Sequence, residues 1–466
     1  MREVVISGGL VTAHGLVMTL AIFVYVATSH VMRQRRQPSA AIAWILFILL
    51  VPYLALPVYL LFGSRKLARP GAATPRIAAA TRADASWAVA TIEALGQPPP
   101  AAYVGLEIHA DGAAARHALF DTLDAARHSI DLCTFILGRD RLGSAVLDAL
   151  CSKARAGMQV RLLLDGMGSL MAGRPGLNRL IQAGGSCTLF VPPLRSPLKG
   201  RTNLRNHRKL VLADARHDNG RLWSGGRNLA DEYFESLTHA LAWRDLTFDL
   251  QGPLVRQAAD LFDQDWSFAN DGRQAGTNVS PAGAAPRVDD GAQVVASGPD
   301  QVDDTLQALL VTAAYQARRR IALATPYFIP DAALLMALSL AARRGVTVDL
   351  LLPERSNHRL SDVARMRALR TLTGAGARVN LAPEMLHAKL ALFDETVALA
   401  GSANLDNRSL FLNYELMIAF HRSADIRRFA AWFERECATA RPYEATPPGL
   451  VRDVAEGTLL WLGFQL

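Results

Sequence analysis

Two short segments of the sequence carry the same reactive side chains at the same spacing. Both have the form His-x-Lys, four residues, Asp: His207, Lys209 and Asp214 in the first, His387, Lys389 and Asp394 in the second. The chain has only five lysines, and two of them occupy the same position of the two segments. A single match could be a core histidine satisfied by hydrogen bonds, but that interpretation does not explain why the pattern occurs twice.

The side chains of these segments suit chemistry on a phosphodiester. Residues two apart on a strand project to the same side, so each His lies beside its Lys. A Gly-rich turn that ends in Asn follows each segment, at Asn228 and at Asn404. If two such strands face each other, one imidazole can attack phosphorus and the other can protonate the leaving alcohol, while Lys and Asn balance the charge on the phosphate oxygens. This chemistry requires no metal, and the sequence has no carboxylate cluster that would bind one.

The two segments belong to an internal repeat that predicts the fold. In each copy a helical stretch precedes a nearly continuous apolar run, at Ile130–Leu137 in the first copy and at Ile321–Ile329 in the second. A second helical stretch and a second apolar run follow. Such runs are typical of strands covered on both faces. We therefore expect an α/β protein with two similar halves.

Composition shifts divide the remainder of the chain. The expected order is a membrane anchor at 1–63, a linker at 64–103, the first half at 104–268, a linker rich in Gly, Asn, Pro and Ala at 269–292, the second half at 293–445 and a tail at 446–466. The anchor contains two stretches without charged residues, Val4–Val31 and Ala40–Phe62, each long enough to cross about 30 Å of hydrocarbon as a helix. Arginines flank the second stretch on both sides and leave its orientation open. One hypothesis is that this stretch dips in and returns, bent at Pro52 and Pro57.

Net charge and cysteine content restrict the possible functions less than the repeated segments do. The net charge of +8 indicates an anionic partner, either a phospholipid surface or a nucleic acid. The four cysteines show neither metal-ligand spacing nor a paired framework, so we interpret them as reduced thiols.

The duplicated segments resemble the HKD signature of the phospholipase D superfamily, over roughly residues 105–440. The strings Arg205–Lys209, Gly401–Ser409 and Asn413–Glu415 resemble the cardiolipin synthase branch in particular, as do Ala43–Leu46 and Pro57–Gly63 of the anchor. The resemblance implies two phospholipase D-like α/β/α halves related by a pseudo-two-fold axis, behind an N-terminal membrane hairpin. One active site would lie at the junction of the halves.

The resemblance also implies roles for individual residues. One of His207 and His387 would be the nucleophile, for which we favour His207, and the other would be general acid and then base. The groups expected to hold the phosphate are Lys209, Lys389, Asn228, Asn404 and Ser402. Asp214 and Asp394 are expected to support the turn after each strand. An alignment of the two halves gives Asp245 and Glu415 as the carboxylates that orient the imidazoles. Ser402 has no counterpart at Gly226, so the halves could differ in role.

The implied reaction transfers a phosphatidyl group from one phosphatidylglycerol to another without a cofactor. The expected partners are this anionic phospholipid and the bilayer, with no nucleic acid. The expected location is the bacterial inner membrane, with the catalytic halves on the cytoplasmic side. Three alternatives remain: a hydrolytic phospholipase D, a phospholipase D-type nuclease, and a non-catalytic lipid-binding scaffold. The oligomeric state and the lipid specificity are left open.

Overall fold

The computed structural model describes residues 14–27, 38–62, 86–109, 111–171, 176–192, 203–236, 241–271, 291–301 and 303–462. Both α/β halves belong to one compact unit, formed by residues 74–190 and 205–466. The apolar N-terminal helices belong to a separate unit. These helices are α1 (14–27), α2 (Pro38–Leu50) and α3 (Pro52–Phe62).

The N-terminal helices pack on one another through a small apolar cluster. Tyr25 of α1 stacks at a tilt on Tyr59 of α3, with 5.2 Å between ring centroids, and Trp44 of α2 meets Tyr59 edge-on. The second apolar stretch forms two helices rather than one, because Pro52 has no N–H to donate to the preceding turn. Of the helices that the structure describes, none combines the length and the apolar character needed to cross a bilayer. Gln34 and Ser64, which would report the orientation of α2 and α3, lie outside the described residues.

The first half follows a short helix and is built around a seven-stranded sheet. Its elements are α4 (Trp87–Ala94), β1 (Val104–His109), α5 (Gly112–Ala125), β2 (Ser129–Thr134), α6 (Arg141–Arg155), β3 (Gln159–Asp165), α7 (Gly166–Met171), α8 (Leu177–Gln182), β4 (Ser186–Phe190), β5 (Arg205–Asn206), β6 (Leu210–Ala213), β7 (Arg221–Gly225), β8 (Thr247–Gln251) and α9 (Leu254–Asp271). The strand order is β1-β8-β7-β6-β2-β3-β4, with β2, β3 and β4 parallel. The central strands are buried, and α5 and α6 pack their apolar sides on them.

The second half repeats this plan. Its elements are β9 (Ala292–Ser297), α10 (Thr305–Gln316), β10 (Arg320–Ala324), β11 (Phe328–Ile329), α11 (Ala332–Arg343), β12 (Thr347–Pro353), α12 (Arg359–Gly374), β13 (Arg378–Ala382), β14 (Leu390–Phe393), β15 (Val397–Gly401), β16 (Leu405–Asp406), α13 (Asn407–Phe411), β17 (Asn413–Phe420), α14 (Ser423–Ala438), β18 (Arg441–Pro442) and α15 (Leu450–Leu462). Its main sheet has the order β18-β13-β12-β10-β14-β15-β17-β5, and β9 pairs with β17. The tail helix α15 is attached to α12 by an ion pair of 2.5 Å between Glu456 and Arg370.

Strand register places both His-x-Lys segments at the carboxyl edges of the parallel strands. Cys133 near the end of β2 pairs with Leu210, the residue directly after Lys209. Ala324 at the end of β10 pairs with Leu390, the residue directly after Lys389. The loops that follow β2, β3, β10 and β12 therefore surround the two segments.

Two short pairings join the halves beside these segments. Strand β5 of the first half lies parallel to β17 of the second, with Asn206 opposite Tyr414. A parallel bridge links Arg244 of the first half to Leu386 of the second. In both places the residue before a histidine is opposite the residue before a carboxylate of the other half.

Candidate active site

Each histidine of the repeated segments is hydrogen-bonded to a carboxylate from the opposite half. Nδ1 of His207 lies 3.0 Å from the Glu415 carboxylate, and Nδ1 of His387 lies 2.7 Å from Oδ2 of Asp245. The backbone pairing fixes these contacts, because the His207 N–H donates to the Tyr414 carbonyl and the His387 N–H donates to the Arg244 carbonyl. The carboxylates hold Nδ1 of both rings, so a substrate would meet the Nε2 side of each imidazole.

Each lysine lies against its own histidine. Nζ of Lys209 donates to the His207 carbonyl at 2.7 Å, and Nζ of Lys389 donates to the His387 carbonyl. Nζ of Lys389 also lies 2.7 Å from Nδ1 and 2.9 Å from Nε2 of His387. Both ammonium groups are buried, and no described carboxylate lies within ion-pair distance of either. Two ammonium groups without a carboxylate partner suit an anionic ligand.

Burial keeps both imidazoles neutral at neutral pH. It lowers the pKa of His207 to about 4, although the nearby Glu415 carboxylate opposes the shift. Burial together with the charge of Lys389 lowers the pKa of His387 to about 3. The charge of Lys389 also lowers the pKa of His207, and the charge of Lys209 lowers that of His387. The two segments therefore share one electrostatic environment.

Burial acts on the lysines in the same direction. It lowers the pKa of Lys209 to about 8, with Glu415 and Asp245 opposing the shift. It lowers the pKa of Lys389 to about 7, where the charge of Lys209 adds to the effect. For the carboxylates, burial alone would raise the pKa, but the neighbouring histidines and lysines outweigh it and keep the pKa of Asp245 and of Glu415 below the ordinary range. The site thus holds two ionised carboxylates beside two ammonium groups that lose their protons more readily than an ordinary lysine does.

The two asparagines after the repeated segments are buried and incompletely hydrogen-bonded. Nδ2 of Asn228 donates to the Tyr233 hydroxyl at 2.8 Å, while Oδ1 has no partner. Oδ1 of Asn404 is also without a partner. Rotation of the Asn228 amide would let the Tyr233 hydroxyl donate to Oδ1 and would free the amide NH2 for a phosphate oxygen. The expected phosphate contact of these amides stays a prediction.

Ser402 lies behind Glu415 rather than free for a phosphate. Its hydroxyl donates to Oε2 of Glu415 at 2.5 Å and accepts the N–H of Leu416 at 2.9 Å. In the first half, a Cβ at Gly226 would lie 2.2 Å from Oδ1 of Asp245, so only glycine leaves room for that carboxylate. The halves therefore differ in how they support the carboxylate: a serine hydroxyl contacts the longer Glu, and a glycine accommodates the shorter Asp.

Arg208 connects the His207 segment to both halves, a role that the sequence analysis missed. Its fully buried guanidinium pairs with Asp265 of α9, and Nε donates to the Glu415 carbonyl at 3.1 Å. Asp265 also accepts from Nδ2 of Asn206 at 2.9 Å. The second half has Ala388 at the matching position. A charged residue on the reverse face of a buried strand was the available sequence signal.

The two aspartates of the repeated segments lie away from the imidazoles, at the far end of β6 and of β14. Asp214 accepts the backbone N–H groups of Arg127, His128 and Ser129, and Asp394 accepts those of residues 318, 319 and 320. Both adopt left-handed backbone conformations, with φ of 50° and 52°. Each aspartate thus ties the turn after its strand to the start of β2 or β10.

Aromatic side chains enclose the two imidazoles. Phe135 meets His207 edge-on at 5.2 Å between centroids, and Tyr233 meets His387 at 5.1 Å. Trp243 lies 5.6 Å from the His387 ring. Phe135 and Trp243 lie between helices and strands, Tyr233 ends a short 3-10 helix, and no spacing in the sequence identified these residues. Among the described residues, no group of His, Cys, Asp and Glu side chains is arranged to hold a metal ion.

Comparison with known proteins places this arrangement in a family. A profile described as the phospholipase D-like domain of cardiolipin synthase matches residues 119–266 and 310–437, which is more than half of the chain. The chain belongs to the cardiolipin synthase family of phospholipase D-like enzymes. A second profile, described as the N-terminal segment of phospholipase D-nuclease proteins, matches residues 18–64 of this family member.

Relatives in this family extend over most of the chain. It is 33% identical over 427 residues to cardiolipin synthase A of Pseudomonas entomophila, covering 87% of both chains. It is 29% identical over 430 residues to cardiolipin synthase 1 of Bacillus cereus, covering 86% of this chain and 84% of the relative. The fold also resembles the solved phosphatidylserine synthase of Haemophilus influenzae, with a TM-score of 0.59 at 12% identity, covering 81% of this chain and 100% of that one. The expected fold class of two phospholipase D-like halves is confirmed.

Proposed function

We propose that this enzyme makes cardiolipin by moving a phosphatidyl group from one phosphatidylglycerol to another through a phosphohistidine. The observation that carries the proposal is the reciprocal pairing of His207 with Glu415 and of His387 with Asp245. It presents two imidazoles beside two lysines without carboxylate partners: Nε2 of His207 is left for a ligand, and Nε2 of His387 lies beside Nζ of Lys389. Relatives named cardiolipin synthase supply the substrate class.

In the first step, Nε2 of His207 attacks the phosphorus of phosphatidylglycerol. The bond from phosphorus to the glycerol oxygen breaks, and His387 gives its proton to that oxygen, so glycerol leaves and phosphatidyl-histidine remains. His207 is the preferred nucleophile because its side chain is 12% exposed against 4% for His387, and because Lys389 lies against the His387 ring. Binding of the phosphate anion near Lys209 and Lys389 raises the pKa of both imidazoles and favours the protonated form of His387.

In the second step, the neutral His387 takes the proton of a free hydroxyl on a second phosphatidylglycerol. That oxygen attacks phosphorus, the bond to Nε2 of His207 breaks, and cardiolipin is released. Lys209 and Lys389 balance the negative charge on the phosphate oxygens in both steps. Glu415 and Asp245 stabilise each imidazole when it carries positive charge.

Two variants test this scheme. We expect His207→Ala and His387→Ala to lower turnover of phosphatidylglycerol by roughly 10³-fold or more while the melting temperature stays near that of the wild type. The measurement is mass spectrometry of the lipids formed. The covalent intermediate is isolated without acid, because acid hydrolyses the bond between phosphorus and histidine. Cardiolipin synthesis near the wild-type rate by either variant would exclude the scheme, and phosphatidic acid as the main wild-type product would mean hydrolysis instead of transfer.

We further propose that residues 1–63 attach the enzyme to the bacterial inner membrane, with both halves on the cytoplasmic side. Support comes from the uncharged helices α1, α2 and α3, on which Leu16, Phe23 and Leu50 are more than half exposed. Exposure of such apolar side chains is favourable in hydrocarbon and unfavourable in water. Labelling of cysteines placed at positions 34 and 64 tests the orientation. Labels on opposite sides of the membrane would contradict a segment that dips in and returns.

A further inference from the structure

The active-site edge of the two sheets carries exposed apolar side chains at corresponding places of the two halves. Leu170 lies on α7, directly after β3, and is 49% exposed. Leu360 and Val363 lie on α12, after the corresponding strand β12, and are 53% and 37% exposed. Leu241, which is 65% exposed, precedes Trp243 by two residues. We call Leu170, Leu241, Leu360 and Val363 the apolar rim.

The elements that carry the apolar rim adjoin residues that contact the two histidine segments or follow β10. Leu241 is close in sequence to Trp243, whose ring contacts His387. Asp165, which directly precedes α7, accepts the N–H of Asn206 next to His207 at 2.8 Å. The loop before α12 contacts Tyr327, which follows β10: His358 lies 5.3 Å from its ring, and Asn357 accepts its hydroxyl at 2.5 Å.

Exposed arginines accompany the apolar rim. Arg139 follows β2, Arg355 and Arg359 follow β12, and Arg367 lies on α12. Within the described part of the chain, none of the four forms an ion pair. The carboxylates nearby are engaged: Glu354 pairs with Arg441, Asp140 accepts the N–H groups of residues 143 and 231, and Asp362 pairs with Arg365. This edge therefore has unpaired positive charge beside exposed apolar side chains.

We propose that the apolar rim and its arginines dock the catalytic unit on the surface of an anionic bilayer, with the opening of the active site toward the lipid. Leucine and valine side chains enter the boundary between headgroups and acyl chains, and arginines bind the lipid phosphates. We choose a bilayer over a soluble protein partner because the apolar side chains come from separate elements, α7, α12 and the segment before Trp243, and unpaired positive charge accompanies them. The proposal rests on the proposed function only for the choice of phosphatidylglycerol as the anionic lipid.

A fluorescence experiment tests the proposal without any turnover. The full chain, with Cys187 and Cys437 replaced by Ser, receives a cysteine at Leu360 in one variant and at Tyr315 in another, each labelled with an NBD fluorophore. Tyr315 is 45% exposed but lies in the last turn of α10, before β10, and so at the opposite edge of the sheet. The vesicles contain phosphatidylglycerol, phosphatidylcholine and a doxyl-labelled lipid. We expect quenching at least twofold stronger at position 360 than at 315, and equal quenching would overturn the proposal.

Charge variants provide a second, matched test. Arg355→Gln with Arg359→Gln removes two charges beside the apolar rim, and Arg318→Gln with Arg319→Gln removes two exposed charges before β10, at the opposite edge. We expect the first pair to lower turnover on phosphatidylglycerol vesicles by about tenfold or more and the second pair to have little effect. Equal effects of the two pairs would refute the docking face. If no variant and no wild type makes cardiolipin, the proposed function fails, while the quenching ratio still decides the docking proposal.

Discussion

Each imidazole of the site lies between a carboxylate from the opposite half and a lysine from its own half. The carboxylates hold Nδ1, and burial lowers the pKa of His207 to about 4 and of His387 to about 3. Burial also lowers the pKa of both lysines. The positive charge that they offer to a phosphate therefore depends on pH between about 7 and 8. Lys389, with a pKa of about 7, is the more sensitive of the two.

The pH profile should report this lysine charge. A lysine whose pKa is lowered keeps its charge below that pKa and loses it as the pH rises, so kcat/KM should fall above pH 7 as Lys389 and then Lys209 lose their protons. In the enzyme–substrate complex the phosphate anion raises both pKa values, so kcat should fall only at higher pH. Steady-state rates on phosphatidylglycerol from pH 5 to 10 give the pH profiles of both kcat/KM and kcat. A kcat/KM that stays level up to pH 9 would contradict this account.

The contacts of Ser402 with Glu415 and of Gly226 with Asp245 give a second prediction for single residues. Ser402→Ala removes the hydroxyl that donates to Glu415 and should lower kcat by roughly 10- to 100-fold, the value of a hydrogen bond to a charged group. Gly226→Ser places a Cβ against Asp245 and should lower kcat at least as much. Gly374→Ser, at the end of α12 where an added Cβ would meet no atom within 4 Å, is the control for an added hydroxymethyl group. Wild-type kcat in Ser402→Ala would mean that the hydroxyl has no part in holding Glu415.

The sequence predicted which residues form the site better than how they pair. The repeat predicted His207, His387 and their lysines, the alignment of the halves predicted Asp245 and Glu415, and the structure brings these residues together. The sequence could not predict that each carboxylate serves the histidine of the other half, because that pairing depends on strand contacts between distant segments. The contact of Ser402 with Glu415 was missed for the same reason.

At the scale of elements, the two aspartates of the repeated segments stabilise turns rather than contact the reacting groups. Each binds three consecutive backbone N–H groups at the start of a central strand and adopts a left-handed conformation. Aspartate tolerates this conformation better than most residues, and its carboxylate satisfies donors that would otherwise lack partners.

Alanine substitution separates this supporting role from a chemical one. Asp214→Ala and Asp394→Ala should each lower the free energy of unfolding by about 1–3 kcal/mol, because three backbone N–H groups lose their acceptor at once. The rate per folded molecule should change little. Urea unfolding and titration of active enzyme measure the two quantities. Asp218→Ala, which removes a fully exposed carboxylate in the same turn, is the control. A large fall in kcat with unchanged stability would assign the aspartates to the chemistry.

The apolar N-terminal stretches illustrate what composition predicts about elements. Their helical character followed from the absence of charge, but the division of the second stretch into α2 and α3 depends on Pro52. Proline was noted as a possible bend, and the structure makes it the start of a new helix. Composition alone does not determine whether a proline bends the helix or ends it. The outcome depends on whether neighbouring helices make contacts that stabilise the bent helix.

At the scale of the whole molecule, Arg208 is a fully buried charged link between the halves. It lies on a segment of the first half, pairs with Asp265 of the same half, and donates to the Glu415 and Ser297 carbonyls of the second. Because the guanidinium and Asp265 are both buried, loss of Arg208 leaves the Asp265 carboxylate without its cationic partner and with only the Asn206 amide as a donor.

Substitution of Arg208 should therefore affect both stability and activity. Arg208→Met should cost about 3–5 kcal/mol of unfolding free energy, since it leaves Asp265 buried and unpaired. Arg208→Met combined with Asp265→Leu should recover much of this stability but not the activity, because the Glu415 backbone still lacks its donor. Thermal unfolding and cardiolipin synthesis measure the two effects. Full activity in the double variant would show that Arg208 does not position Glu415.

The exchange of carboxylates between the halves also has a consequence for biosynthesis. A ribosome releases the first half while the second is still being made, and at that stage His207 has no Glu415 and Asp245 has no His387. Neither imidazole–carboxylate pair can exist before the second half has been made, because each pair takes one member from each half. The proposed site is therefore complete only in the full-length folded chain.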